Sequence, residues 1–224
     1  QPLAPYSVCN LAAINLANMV NKNTQEVDWK KLEQTIKTAI KMQDNVIDKT
    51  TYFLDENKKQ ALGERRVGLG IMGLHDLLIW CNKRYGSDDA NALVDELFRF
   101  IATNAYEQSI EIAKTKGSFP FLEEEGSREQ FINSGYMKKL PEYLRQGVLK
   151  HGIRNSHLLT IAPTGTTSLM TQTSSGIEPV FMVSYKRRKK VNPNDKNSRV
   201  DFIDEVGDSW EEYHVFHHKF NTWL

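Results

Sequence analysis

Apolar residues recur at helical intervals in two long stretches of the chain, and each stretch is bounded by residues that start or end helices. Asp28 is a suitable N-cap for a helix predicted to run to about Tyr52. Ser87 or Asp88 is a suitable start for a longer helix, which we expect to end at Gly117. The apolar stripes are Leu32, Ile36, Ile40 and Ile47 in the first helix and Leu93, Leu97, Ile101 and Ala105 in the second.

Shorter apolar segments predict strands and further helices. We predict strands or strand-loop segments at residues 6–20, 157–162, 180–190 and 201–206. Helices are predicted at residues 57–64 and 141–151, and the capping-box pattern Ser209-Trp-Glu-Glu212 predicts a last helix. The polar stretch 190–197 predicts an exposed hairpin loop. Strands that alternate with helices indicate the α/β class.

Composition narrows the class of protein. The chain has 224 residues, of which 40% are hydrophobic and 25% charged, which is ordinary for a globular domain. Its net charge of +1 gives no overall basic field, so we expect no binding to nucleic acid. No apolar stretch approaches the ~18 residues of a membrane span, so we expect no membrane partner. Two cysteines, Cys9 and Cys81, argue against a disulfide-stapled secreted scaffold, and we expect a cytoplasmic protein.

The main candidate for chemistry is the loop Pro163-Thr164-Gly165-Thr166-Thr167-Ser168, which follows a predicted strand and opens a short helix. Such a turn directs several backbone N–H groups and hydroxyls to one point, which is how many proteins bind phosphate. Gly165 lets the backbone approach a ligand closely. The alternative is a capped helix start that binds nothing.

Cys9 has two interpretations. A single thiol on a strand is commonly a small buried apolar group. It is otherwise one half of a redox pair whose partner thiol lies elsewhere. Nothing in the sequence joins Cys9 to Cys81, and we predict that Cys81 is structural.

Three other patterns in the sequence predict packing or solvent exposure and no chemistry. The glycines of residues 68–73 lack the acidic residue of a dinucleotide-binding fold, so we expect close backbone packing there. His214 and His218 have the spacing of a metal-binding helix but lack a third ligand, and we predict no metal site. We interpret the basic run 186–190 as a solvated strand end.

Several motifs occur in a fixed order along the chain. They are Pro5-Tyr-Ser-Val-Cys9-Asn-Leu-Ala-Ala-Ile-Asn-Leu16, Arg65-Arg-Val-Gly-Leu-Gly70, Arg154-Asn-Ser156, Ala162-Pro-Thr-Gly-Thr-Thr-Ser168 and Ser175-Gly-Ile-Glu-Pro179. Together they resemble the catalytic chain of ribonucleotide reductase, from residue 1 to about residue 185. The set is most similar to the adenosylcobalamin-dependent class. The large subunit of the metal-radical class is the close alternative.

The resemblance implies a fold. Residues 1–224 would be the C-terminal portion of a ten-stranded ribonucleotide-reductase-type α/β barrel, as one partial barrel domain. In the family, a finger loop with an Asn-x-Cys-x-Glu motif carries the radical cysteine, and it would come directly before Gln1. Because that motif is missing and Gln1 is not Met, we expect an upstream fragment that carries the finger loop, from a split gene or an excised intein. The last barrel elements would follow Leu224, and this chain would be inactive alone.

The resemblance also implies roles for residues. Cys9 matches the second redox-active cysteine, which would form a disulfide with an upstream cysteine and be reset by thioredoxin or glutaredoxin. The loop Pro163–Ser168 matches the site for the phosphate groups of the ribonucleotide substrate. Adenosylcobalamin would be bound mainly outside this chain; in the alternative, a metal-bearing second subunit supplies the radical. The implied activity is conversion of ribonucleotides to deoxyribonucleotides by thiyl-radical chemistry.

Two hypotheses from other classes stay open. The chain could be a non-enzymatic module that binds a nucleotide or phosphate through the same loop without any upstream partner. It could also be a structural interaction domain whose exposed strand edges pair with another chain.

Overall fold

A computed structural model describes residues 1–192 and 198–224 and divides the chain into two compact units, residues 1–178 and 179–224. Most of the predicted hairpin loop at 190–197 therefore lies outside the described residues. The strands of the first unit are β1 (Asn10–Asn15), β2 (Val20–Asn21), β3 (Glu26–Val27) and β4 (Val67–Met72). Its helices are α1 (Trp29–Lys49), α2 (Asp55–Glu64), α3 (Leu74–Trp80), α4 (Asp88–Lys116), α5 (Ser127–Ile132), α6 (Glu142–His151) and α7 (Gly165–Thr171). Short 3-10 turns lie at Leu16–Asn18, Pro120–Glu123 and Met137–Lys139.

The predicted long helices are confirmed, although α1 ends at Lys49, three residues before the expected Tyr52. The side chain of Asp28 accepts a hydrogen bond from the backbone N–H of Lys31 at 3.0 Å, which caps the N-terminus of α1. Helix α4 begins directly after Ser87 and ends before Gly117, whose φ of +79° suits glycine. The apolar stripes of both helices face the core, where Leu32, Ile36, Ile40, Leu97, Ile101 and Ala105 are buried.

Two parallel strands form the centre of the first unit. β1 pairs with β4 from Asn10 opposite Val67 to Asn15 opposite Met72. Every residue of β4 is buried, so β4 is an interior strand. Helix α1 packs against both strands, α4 packs against α1, and α6 packs against α4.

The strand predicted at 157–162 lies in the expected place but is much shorter. Residues 157–160 run parallel to β4 along the edge opposite β1, where Leu69 forms an isolated bridge with Leu159. The Leu69 N–H donates to the carbonyl of Leu158 at 2.7 Å, and the Thr160 N–H donates back to the carbonyl of Leu69 at 3.1 Å. The pairing stops there, because the chain turns outward and Ile161 is exposed.

A buried polar network joins the helices to the start of β4. The carboxylate of Asp44, on α1, is fully buried and accepts hydrogen bonds from Arg65 Nε at 3.0 Å and from Asn155 Nδ2 at 3.2 Å. Arg154 Nε lies 3.3 Å from the same carboxylate. Asn155 Nδ2 also donates to the carbonyl of Arg65 at 3.0 Å, and its side-chain oxygen accepts from the hydroxyl of Ser109 at 2.9 Å. One carboxylate therefore connects α1, the end of α2, α4 and the segment that follows α6.

The outer edge of this network is half exposed. Arg65 reaches Asp48 at 2.8 Å, and Lys116 lies 3.4 Å from Asp44. Burial raises the pKa of Asp48, but hydrogen bonding to Arg65 and the charges of Arg65, Lys116 and Arg154 outweigh it, so the pKa is lowered. Asp48 therefore stays ionised and, together with Asp44, balances the positive charges of Arg65, Lys116 and Arg154.

The second unit is an antiparallel sheet with a short helix. Its elements are β5 (Ser184–Lys190), β6 (Phe202–Ile203), β7 (Ser209–Phe216) and α8 (His218–Trp223), with strand order β5-β7-β6. The strands predicted at 180–190 and 201–206 are confirmed in shortened form.

The last helix predicted from Ser209 is wrong, because this segment is β7 and α8 begins only at His218. The basic strand β5 lies opposite the acidic start of β7, and Arg188 donates to the carboxylate of Glu212 at 2.8 Å. Cross-strand pairing of opposite charges outweighs a local capping pattern. His214 consequently lies on a strand, so the helical spacing to His218 does not exist.

The α/β content is confirmed, whereas the barrel is not tested. Among the described residues the sheets are open, so the ten-stranded barrel and the single partial domain 1–224 stay predictions. No helix in the described part of the chain is both long and apolar enough to cross a membrane.

We predict that Asp44→Ala lowers the free energy of unfolding by about 3–5 kcal/mol, because it leaves the Arg65 guanidinium buried without its carboxylate. Urea unfolding followed by circular dichroism measures this. The matched control is Asp95→Ala, which removes an exposed carboxylate from a helix and should change stability little. Equal midpoints for the two variants would contradict the network's role.

Candidate functional site

The sheet brings Cys9 next to the segment that leads into the predicted phosphate loop. Gly68, in β4, lies between them. A Cβ built on Gly68 would lie 2.9 Å from the sulfur of Cys9 and 3.0 Å from Cγ2 of Thr160. Thr160 precedes Pro163 by three residues, which span about 10 Å of extended chain. Cys9 and the segment that leads into the loop therefore approach β4 from its two edges.

The predicted close packing at the glycines is confirmed. A Cβ on Gly70 would lie 2.8 Å from the carbonyl oxygen of Thr160, which is backbone and cannot rotate away. Glycine at 68 and 70 allows β1 and residues 157–160 to flank β4 closely on the face that carries Cys9.

Cys9 is a half-buried free thiol. Its Sγ donates to the side-chain oxygen of Gln1 at 3.6 Å, a long sulfur contact. Burial raises the pKa of Cys9, against the opposing charge of Arg66. The sulfur is consequently protonated at neutral pH. Burial also raises the pKa of Cys81, to about 11.

A buried ion pair lies beside Cys9. Arg66 donates to the carboxylate of Glu64 at 3.1 Å and to the carbonyl of Pro2 at 3.0 Å. The hydroxyl of Ser7 also donates to Glu64. Burial and the charge of Arg66 lower the pKa of His157 to about 4, so its imidazole is neutral near pH 7. The Arg66–Glu64 pair holds the segment before β1 against the start of β4, through its contacts with Pro2 and Ser7.

The loop Pro163–Ser168 forms the predicted turn into a short helix. Thr164 has a left-handed backbone with φ of +53°, and its carbonyl accepts the N–H of Ser168 at 2.8 Å. This is the first hydrogen bond of α7, so the N–H groups of Gly165, Thr166 and Thr167 come before the helical ladder. Residues 163 and 165–167 are exposed. The loop therefore presents backbone donors to solvent.

The hydroxyls of the loop divide into two groups. Thr166 and Thr167 are exposed. Ser168 is only 2% exposed, donates to the carbonyl of Gly165 at 3.0 Å and lies 2.7 Å from the hydroxyl of Ser175. The hydroxyl of Thr164 accepts the N–H of Gly176 at 2.9 Å. Two hydroxyls thus shape the loop, and two face outward.

Sequence reasoning missed one residue of this region, Asp76. Its carboxylate accepts hydrogen bonds from the N–H and the hydroxyl of Ser174, at 2.7 and 3.2 Å. The only signal in the sequence was a carboxylate within an otherwise apolar run. Glu178, for which no role was predicted, is exposed.

The described residues contain no group of three or more His, Cys, Asp and Glu side chains that could hold a metal ion. The candidate site thus combines a protonated thiol with an exposed turn of backbone and hydroxyl donors. A thiol supplies electrons and protons, and such a turn suits a phosphate group.

Comparisons with known proteins identify relatives. The sequence profile of the family described as "Ribonucleotide reductase, barrel domain" matches residues 3–208. The chain is 36% identical over 186 residues to the vitamin B12-dependent ribonucleoside-diphosphate reductase of Mycobacterium tuberculosis, covering 83% of this chain and 24% of the relative. It is 34% identical over 187 residues to the protein of the same name from Thermoplasma acidophilum, covering 84% and 22%.

A third relative carries a different name. The ribonucleoside-diphosphate reductase subunit alpha of Treponema pallidum is 32% identical over 187 residues, covering 83% of this chain and 22% of the relative. The chain therefore spans less than a quarter of the length of these curated relatives, 22–24%.

We predict that Gly70→Ala lowers the free energy of unfolding by about 1–3 kcal/mol, because the new methyl group overlaps the Thr160 carbonyl and separates two packed backbones. Urea unfolding of the chain measures the change. Gly135→Ala is the matched control, since a Cβ there meets nothing within 4 Å. If Gly70→Ala were as stable as this control, the close approach at β4 would not exist.

Proposed function

Because the chain belongs to the ribonucleotide reductase barrel-domain family, we propose that it is part of an enzyme that reduces ribonucleotides to deoxyribonucleotides. Its own contributions are an electron-donating thiol, Cys9, and a loop for the substrate's phosphate groups, Pro163–Ser168. The observation that carries this proposal is the shared contact at Gly68, which Cys9 and Thr160 approach from opposite edges of β4. Thr160 precedes Pro163 by three residues, so the thiol and the proposed phosphate loop belong to segments that meet at β4, as binding of one nucleotide by both requires.

The proposed role of Cys9 follows from the balance of the reaction. The C2′–O bond of the ribose breaks, its oxygen leaves as water, and a new C2′–H bond forms. Two thiols supply two electrons and two protons and close to a disulfide. The raised pKa of Cys9 supports the role, because the sulfur keeps the proton that it must give up. The partner thiol belongs to an upstream part of the enzyme, and thioredoxin or glutaredoxin would reopen the disulfide.

The proposed role of the loop is to fix the substrate. The N–H groups of Gly165, Thr166 and Thr167 and the two threonine hydroxyls are the donors to phosphate oxygens. Thr164 and Ser168 hold the turn in shape, and Pro163 fixes the direction from which the chain enters it. Anchoring the phosphates orients the ribose for reaction, which lowers the entropic part of the barrier.

The proposed radical source follows from the names of the relatives. Two relatives are named vitamin B12-dependent, so we propose the adenosylcobalamin-dependent class, with the metal-radical second subunit as the alternative. Adenosylcobalamin would supply the radical that a cysteine outside this chain carries as a thiyl. We assign no residue of this chain to the cofactor.

Reconstitution tests the function. The complete enzyme that contains this chain is supplied with a dithiol and labelled CDP or CTP, with and without adenosylcobalamin. Deoxynucleotide that forms only with cobalamin supports the reductase and its class. Deoxynucleotide that forms only with a metal-radical subunit supports the reductase activity but assigns the enzyme to the metal-radical class. Nucleotide binding without product under either condition would favour the non-enzymatic module.

We predict that Cys9→Ser stops multiple turnover in the complete enzyme, because a serine hydroxyl does not form the disulfide. Product is measured by chromatography in the presence of thioredoxin and its reductase. Cys81→Ser is the matched control and should keep its turnover, since Cys81 has no proposed role. Sustained turnover of Cys9→Ser at the wild-type rate would contradict the assignment of Cys9.

We predict that the double change Thr164→Ala and Ser168→Ala raises the KM for nucleotide by ~10-fold or more. The change removes the hydrogen bonds that link Thr164 and Ser168 to the residues around Ser175, at about 1 kcal/mol each, and so loosens the proposed phosphate loop. Steady-state kinetics of the complete enzyme measure the effect. Thr38→Ala, on the exposed part of α1, serves as the control. An unchanged KM in the double variant would argue against the loop.

A further inference from the structure

We propose that Asp76 is a positioning residue for the loop Pro163–Ser168, acting through the segment Ser174–Ile177. We call this segment the brace. The inference rests on the proposed function, in which the loop holds the phosphate groups of the substrate. It adds a residue on α3, far from the loop in sequence, to the determinants of substrate affinity.

The first step is the contact between Asp76 and the brace. Asp76 is fully buried, and its Oδ2 accepts both the N–H and the hydroxyl of Ser174, at 2.7 and 3.2 Å. The carbonyl of Ser174 accepts the N–H of Gly73 at 2.8 Å. The backbone of Ser174 is therefore held on both sides by residues at the start of α3. Hydrogen bonds to a carboxylate are about twice as strong as those between neutral groups.

The second step joins the brace to the loop. The residues that follow Ser174 make the two side-chain contacts that shape the loop. Ser175 lies 2.7 Å from the buried hydroxyl of Ser168, and the N–H of Gly176 donates to the hydroxyl of Thr164 at 2.9 Å. A shift of Ser174 would move both contacts together, because Ser175 and Gly176 are the next two residues of the chain.

The far end of the brace is also held by the region after α3. The hydroxyl of Tyr85 donates to the carbonyl of Ile177 at 2.6 Å. Tyr85 packs against His75, with ring centroids 5.0 Å apart. Residues 73–85 thus hold the brace at both ends, and the loop lies against its middle.

This arrangement gives Asp76 a distinct signature in kinetics. Loss of its carboxylate frees the brace without touching Cys9 or the exposed donors of the loop. The effect should therefore fall on the affinity for nucleotide and not on the rate of the bound complex. A purely structural role would instead lower the amount of active enzyme, which reduces the apparent kcat and leaves KM unchanged.

The kinetic test compares Asp76→Ala and Asp76→Asn in the complete enzyme. We expect Asp76→Ala to raise the KM for nucleotide about 10-fold or more at nearly unchanged kcat. Asp76→Asn should lie between it and the wild type, because an amide oxygen still accepts from Ser174. Asp95→Asn, an exposed aspartate on α4, is the matched control and should leave both constants unchanged.

A second measurement does not depend on catalysis. Hydrogen–deuterium exchange of the chain, read by mass spectrometry, follows the amides of residues 163–178. We expect Asp76→Ala to speed exchange in the peptides that contain Ser174 and Gly176 and to leave β1 protected as in the wild type. If Asp76→Ala does not fold, both the kinetics and the hydrogen–deuterium exchange are measured on Asp76→Asn.

The outcomes separate the two proposals. An active wild-type enzyme with an unchanged KM in both Asp76 variants would overturn the positioning role and leave the reductase intact. An inactive wild-type enzyme would count against the proposed function, and exchange would then decide whether Asp76 orders the loop. Exchange in residues 163–178 that matches the wild type would overturn the inference in either case.

Discussion

One buried carboxylate, that of Asp44, sets the frame of the larger unit. Its donors include Arg65 and Asn155, and Asn155 lies 111 residues further along the chain. Because burying an unpaired charge is costly, the end of α2 and the segment after α6 must both reach α1. Arg65 directly precedes Arg66 and β4, and Asn155 comes just before residues 157–160, so the network also sets where these backbones begin to pair. The positions of Cys9 and Thr160, which pack against β4, therefore depend on the Asp44 network.

The sequence predicted best those features that depend on neighbouring residues. Helix α1 starts at Asp28 and α4 ends at Gly117 because each signal acts within one turn. The helix predicted from Ser209 was wrong, because Glu212 of that segment pairs with Arg188 on another strand, and this pairing outweighs the local pattern. Asp76 was missed for the same reason, because its partner Ser174 is 98 residues away. A single carboxylate within an apolar run gives no information about which distant residue it contacts.

The site is held by two different physical devices. At β4, the missing side chains of Gly68 and Gly70 let Cys9 and Thr160 come close from the two edges of the strand. At the loop, the brace fixes Thr164 and Ser168 through directed hydrogen bonds. Packing of backbones tolerates little displacement, whereas hydrogen bonds of an exposed loop open more readily. We therefore expect slower amide exchange in β4 than in the exposed residues 165–167 of the loop.

The left-handed backbone of Thr164 has a consequence for engineering. A β-branched residue with φ of +53° is strained by about 1–2 kcal/mol relative to glycine. Glycine would relieve that strain but would remove the hydroxyl that accepts the N–H of Gly176. If the loop binds phosphate as proposed, thermal stability and ligand affinity favour different residues at position 164, a common form of stability–activity trade-off. Directed evolution that selects for thermal stability alone would then favour glycine at this position and weaken the proposed binding.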